Sequence, residues 1–174
     1  MQDIVNKAKQ IKLLIFDVDG VLTDGRLYFS NSGDEYKAFH AHDGFGIKML
    51  MATGVEVAVI TSRTSAIVTH RMKDLGLTHL YQGQQDKKNA YQTLKTKLNL
   101  EDNHIAFVGD DIIDLPLIRR AGLGVATANA VATVTQYADW QTKKEGGQGA
   151  AREVCELIMK AQNTFADIIE KYSD

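Results

Sequence analysis

The sequence predicts an α/β fold: a Rossmann-like parallel sheet with helices on both faces, an inserted β-hairpin and no cap domain. Three observations carry that prediction. Four short apolar runs, residues 13–16, 55–60, 105–108 and 123–126, are strand-sized and show little alternation, as strands covered on both faces do. Segments with helical spacing of apolar residues lie between them, and a strand–helix alternation builds a parallel sheet with right-handed crossovers. Only about 38 residues separate the first run from the second, too few for a second domain.

Each element has a local cause. The first run ends in "FDVDG". Residues 26–39, "RLYFSNSGDEYKAF", alternate around a turn-rich "SNSGD" and read as a β-hairpin placed ahead of the first helix. After 55–60, Val68, Met72 and Leu75 share a helix face that Gly76 ends. Asp86 can cap a helix carrying Ala90, Tyr91, Leu94 and Leu98 on one side. Leu115 and Ile118 mark a short helix with Pro116 tolerated in its first turn. Glycine-rich "KKEGGQGAAREV" then leads into one long helix whose stripe is Val154, Leu157, Ile158, Ala161, Phe165, Ile168 and Ile169. That stripe reads as exposed and available to another subunit, or as packed on its own sheet. The whole chain, 1–174, reads as one domain, with 26–39 as the hairpin insert and 143–174 as tail and C-terminal helix.

Composition narrows the function. The chain has 174 residues, 44% of them hydrophobic and 24% charged, an ordinary globular mixture. A formal net charge of -2 gives no basic field for nucleic acid or an anionic membrane. No run of 18 apolar residues offers a transmembrane helix, and "MQDIVNKAKQIK" lacks the apolar core of a signal peptide. Cys155 is the single cysteine, so no disulfide framework or CxxC metal site is present. The setting expected from these features is the cytoplasm.

Ligands of open α/β sheets bind beyond the carboxyl ends of the strands. Those ends here supply Asp17 and Asp19; Thr61, Ser62 and Arg63; and Gly109, Asp110 and Asp111, with Asp114 three residues on. Lys87 and Lys88 open the helix after "QGQQD". Two like charges about 4 Å apart repel by roughly 4 kcal/mol at an effective dielectric near 20. Several carboxylates at one place therefore call for a cation. All-oxygen ligands without His or Cys favour Mg2+ over Zn2+, and Mg2+ with an ammonium beside it suits a phosphate. His40 and His42 form an H-x-H pair outside this constellation and read as surface or hairpin packing; His70 reads as solvated.

"FDVDGVLTDG", "VAVITSR", "DKKNAY" and "VGDDIIDLPLI" resemble, in order, the four motifs of the haloacid dehalogenase-like superfamily of phosphohydrolases, over roughly residues 12–140. The resemblance implies Mg2+-dependent phosphoryl transfer with Asp17 as nucleophile and Asp19 as general acid, then base. Thr61 would hydrogen-bond a phosphoryl oxygen and Lys87 would neutralise nucleophile and phosphate. Mg2+ would be held by Asp17, the Asp19 carbonyl and Asp110, with Asp111 and Asp114 supporting that shell. "FHAHDGFGIKML", "HLYQGQQDK" and "GGQGAAREVCELI" are similar to a capless branch that hydrolyses 3-deoxy-D-manno-octulosonate 8-phosphate in lipopolysaccharide sugar biosynthesis. Members of that branch form tetramers in which hairpins and tails close neighbouring sites. That implies a small sugar-phosphate substrate, a homotetramer, and Arg63 and Arg152 as substrate contacts. A phosphatase of a nine-carbon sugar acid phosphate and a non-catalytic oligomerisation module of the same fold are the alternatives. A response-regulator receiver is disfavoured, because its phosphorylated Asp lies mid-chain in a shorter domain.

Overall fold

β1 (Leu13–Phe16) is the centre of the sheet, and no residue in it is exposed. In the computed structural model, which describes residues 1–173, β1 pairs in parallel with β4 (Glu56–Ile60) on one side and β6 (Ile105–Gly109) on the other. β5 (His79–Tyr81) extends the sheet beyond β4, and β7 (Leu123–Ala126) and β8 (Trp140–Gln141) extend it beyond β6, giving the order β5-β4-β1-β6-β7-β8. The chain runs outward from β1 to β5, then crosses back to β6 and runs outward the other way. The carboxyl ends of β1, β4 and β6 thus meet at the topological switch point, where such sheets bind ligands. The tail 143–174 ends on Asp174, outside the described residues.

Period-2 geometry divides β1 between two cores. Leu14 and Phe16 face α1 (Gln2–Lys9), α2 (Ala41–Met51), α3 (Ala66–Leu75) and α7 (Ala150–Ala161). Leu13 and Ile15 face α4 (Lys87–Lys97), α5 (Leu115–Ile118) and α6 (Ala132–Tyr137). The hairpin expected at 26–39 is β2 (Tyr28–Phe29) and β3 (Glu35–Tyr36), an antiparallel pair outside the main sheet.

One expectation about the C-terminal segment needs correction, and one left open is decided. The single long helix is two, α7 and α8 (Phe165–Glu170), because Asn163 takes a left-handed conformation at φ 59° and breaks the run. The apolar stripe is also no free surface. Val154, Ile158, Ala161 and Ile168 are buried, and Leu157 and Phe165 pack against the same core; Ile169 alone of the stripe is exposed. Docking of α7 is fixed from α2, whose Asp43 carboxylate accepts hydrogen bonds from Gly149 N (3.2 Å) and Arg152 N (2.8 Å) and so caps the helix from outside. Ile158→Ala should therefore cost about 2–5 kcal/mol in chemical denaturation while leaving the native mass unchanged. A changed mass with unchanged stability would assign the stripe to a subunit contact instead.

Candidate active site

Asp17 follows directly on β1 and is 6% exposed, so the strand delivers its carboxylate to the sheet edge with almost no hydration. The chain must then turn sharply. Gly20 does so at φ +88°, and a Cβ there would sit 2.0 Å from Asp110 Oδ2. Only glycine satisfies both demands. The loop is also tied from the far side: Asn129 Nδ2 donates to the Gly20 carbonyl (3.2 Å) while Asn129 Oδ1 accepts from Gly146 N (2.7 Å). Gly147 N donates to the Val21 carbonyl. The glycine-rich 146–149 stretch rests on this chain's own loop after β1.

Lys87 sits at the first position of α4, whose N-cap Asp86 accepts from Lys88 N. Its ammonium is buried between Asp17 Oδ1 (2.7 Å) and Asp114 Oδ1 (2.6 Å). Burial works against that charge, but the two carboxylates outweigh it and raise the Lys87 pKa. Asp114 is fully buried, and its second oxygen accepts from Asp110 N (3.0 Å) and Asp111 N (3.3 Å). It therefore shapes the "GDD" loop while also holding Lys87. Asp111 is exposed and caps the 3-10 turn Ile112–Asp114 through Ile112 N (2.7 Å).

Asp17 and Asp110 are in a different condition. Burial, then the charge of Asp114, raise Asp17 to about 6 against the pull of Lys87. Burial, then Asp114, Asp17 and Asp111, raise Asp110 to about 8. Asp110 Oδ1 is buried without a hydrogen-bond partner, and Asp17 Oδ1 is buried with only the Lys87 ammonium beside it at 2.7 Å. Oxygens of Asp17, Asp110 and Asp114 lie within 4.8 Å of one another. Asp114 already accepts from Lys87 and two backbone amides, so Asp17 and Asp110 are the carboxylates freer to take a cation. The Asp19 carbonyl accepts no hydrogen bond among the described residues. A hard divalent ion with oxygen ligands fits this donor set.

Above these groups opens a cavity of about 320 Å³, lined by Asp17, Asp19, Thr61, Arg63, Asp110 and Asp111 among others. The structure thus brings together the sequence-predicted residues on β1, β4 and β6, with Lys87 and Asp114 beneath them. Arg63 reaches Glu35 Oε1 (2.8 Å) and approaches Asp19 Oδ2 (3.8 Å). Arg152 is not among the lining residues. It pairs with Glu156 (2.7 Å), stacks on Phe45 and lines a separate cavity with His40 and His42. His40 caps α2 through His42 N, and His70 is exposed on α3. Sequence reading missed Lys37 and Glu35, which reach the site from the hairpin. Their spacing, one on β3 and one just past it, puts both on one face, though spacing alone does not say which face turns inward.

A model of haloacid dehalogenase-like hydrolases matches residues 74–154. The 3-deoxy-D-manno-octulosonate 8-phosphate phosphatase KdsC of Escherichia coli (strain K12) is 48% identical over 160 residues, 92% of this chain and 85% of that protein. A crystal structure of such a phosphatase from Moraxella catarrhalis, in complex with magnesium ion, phosphate ion and KDO, is 46% identical, covers 99% of each chain and superposes with a TM-score of 0.97. A haloacid dehalogenase superfamily hydrolase (subfamily III A) from Legionella pneumophila is 54% identical, covering 99% of this chain and 94% of its own, with a TM-score of 0.97.

The raised carboxyls have a measurable consequence. Both bind protons more tightly in the fold than the 3.8 of an ordinary aspartate. In metal-free protein their contribution to stability is complete below about pH 4 and is lost as pH rises through about 6 and then about 8. Melting curves in EDTA should fall across that window. Mg2+ should restore more stability at pH 8 than at pH 6, and Asp110→Asn should raise the EDTA melting point at pH 8 and remove the Mg2+ effect. A flat EDTA profile would contradict this electrostatic reading.

Proposed function

Because the chain belongs to the haloacid dehalogenase-like 3-deoxy-D-manno-octulosonate 8-phosphate phosphatases, we propose that its buried Asp17 is the nucleophile of a Mg2+-dependent phosphomonoester hydrolysis. The substrate is 3-deoxy-D-manno-octulosonate 8-phosphate, the products are the free sugar acid and phosphate, and the step belongs to lipopolysaccharide biosynthesis. The observation that carries the residue roles is the pairing of Asp17 with Lys87 at the floor of the cavity while its other charged neighbours remain carboxylates.

Mg2+ supplies positive charge to the phosphoryl oxygens and to the carboxylates of Asp17 and Asp110. The rest is done by this chain. One Asp17 oxygen attacks phosphorus, and the bond from phosphorus to the sugar oxygen breaks. Asp19 gives its proton to that departing oxygen. Asp17 now carries the phosphoryl group as a mixed anhydride, and Asp19, ionised, takes a proton from an attacking water. That water oxygen joins phosphorus, the bond to Asp17 breaks, and phosphate leaves. Dividing a slow reaction in this way gives two lower barriers. Thr61 donates to a phosphoryl oxygen. Lys87 neutralises Asp17 and the transferring group. Asp114 holds Lys87 and the 109–111 loop in place, and Asp111 supports the same loop. Arg63, on the cavity wall, is the substrate contact on this chain.

The chain acts as one phosphatase unit, with the hairpin 26–39 and the tail 143–174 as its accessories. In a homotetramer in the cytoplasm, the exposed aromatics of the hairpin, Tyr28, Phe29 and Tyr36, are covered by neighbouring subunits; all three are exposed in the single chain. Arg152, away from its own cavity, is then a contact to a neighbour's substrate. No helix of the described residues is long and apolar enough to cross a membrane.

The test is phosphate release from a panel of sugar phosphates with Mg2+. The eight-carbon acid phosphate should have the highest kcat/KM, above nine-carbon acid phosphates, and Asp17→Asn should lower kcat by on the order of 10⁴-fold or more. Turnover of no phosphate ester would favour a non-catalytic module.

A further inference from the structure

The hairpin has two unlike faces. Tyr36 points outward and is 58% exposed, while its neighbours Glu35 and Lys37 share the opposite face. Lys37 is the unusual one: its side chain is only 1% exposed, although lysine normally keeps its ammonium in water. A buried ammonium needs close anionic partners. It finds Asp19 Oδ1 in direct contact and Glu35 Oε1 at 3.5 Å. Arg63 Nε approaches the other Asp19 oxygen at 3.8 Å. Glu35 in turn is fastened at both ends, by Arg63 at 2.8 Å and by Ser65 Oγ at 2.9 Å.

We propose that Lys37 is a positioning residue for the reaction, fixing the Asp19 carboxyl toward the leaving oxygen, with Glu35 as its brace. One cation stands at each Asp19 oxygen, so the group has little freedom to rotate. Without Lys37 the Oδ1 side is unheld, and Asp19 loses the orientation from which it reaches the leaving group. This gives the hairpin a role inside its own subunit, separate from any contact its aromatic face makes. The inference rests on the proposed role of Asp19 as acid and base.

General acid–base assistance contributes about 10²–10⁴-fold, and only a leaving group that needs a proton benefits from the acid step. A sugar alkoxide needs one; p-nitrophenolate does not. The experiment compares kcat/KM, which covers steps through transfer to Asp17, for 3-deoxy-D-manno-octulosonate 8-phosphate and for p-nitrophenyl phosphate, in wild type and Lys37→Met. Loss on the sugar phosphate should exceed loss on the aryl phosphate by about tenfold or more. Glu35→Gln should shift the ratio in the same direction by less. Because both substrates are read on one preparation, any unfolded fraction cancels from the ratio. Equal losses, or none, would overturn the assignment of Lys37. A wild type inert toward the sugar phosphate but active on the aryl phosphate would instead overturn the functional reading.

Discussion

Three carboxylates gathered on one buried ammonium are the constraint from which the site follows. Asp17, Asp110 and Asp114 meet at the sheet edge with Lys87 the one ammonium among them, and when all are ionised the group carries two surplus negative charges. Asp114 is satisfied by Lys87 and two backbone amides. The surplus therefore falls on Asp17 and Asp110, whose pKa values are raised and of which Asp110 keeps a buried oxygen without a partner. A divalent cation would balance that surplus, and a phosphoryl group would then meet positive charge from both the cation and the ammonium. Folding stability and catalysis make opposite demands here: the metal-free fold favours protonated carboxyls, whereas attack on phosphorus needs an ionised one.

The surroundings of the site serve that constraint. Gly20 gives up its side chain so that Asp110 can come close. Asn129 ties Gly20 to the glycine-rich stretch, so the loop after β1 is braced by a segment more than a hundred residues away in sequence. The hairpin contributes Lys37 and Glu35 from the other side. An open cavity weakens electrostatics by admitting water. These braces fix on the substrate-free protein groups that a separate cap domain would otherwise arrange on closing.

Much of this was legible in the sequence. The strands that the whole sheet depends on are continuous apolar runs, and Asp17, Asp19, Thr61, Lys87 and Asp110 lie at fixed offsets from strand or helix ends. β5 and β8 were not legible, because three residues such as His79–Tyr81 and two such as Trp140–Gln141 carry no periodicity to read. The break before α8 was hidden because Asn163 is a polar residue whose left-handed conformation is a tertiary outcome. The α7 stripe could not be assigned to core or surface, since both bury apolar residues at the same spacing. Lys37 and Glu35 were missed for a related reason: charge on a short hairpin usually means solvent, and only the fold reveals which face is turned inward.

A cation that relieves the charge surplus on Asp17 and Asp110 must displace the protons those carboxyls hold in the metal-free fold. Calorimetric titration of metal-free protein with Mg2+ near pH 7, repeated in buffers of different ionisation enthalpy, tests it most directly. The account predicts binding accompanied by net proton release, as carboxyls with pKa values of about 6 and about 8 give up their protons to the metal, and loss of both signals in Asp110→Asn. Binding with no proton release, or binding undiminished in that variant, would contradict it.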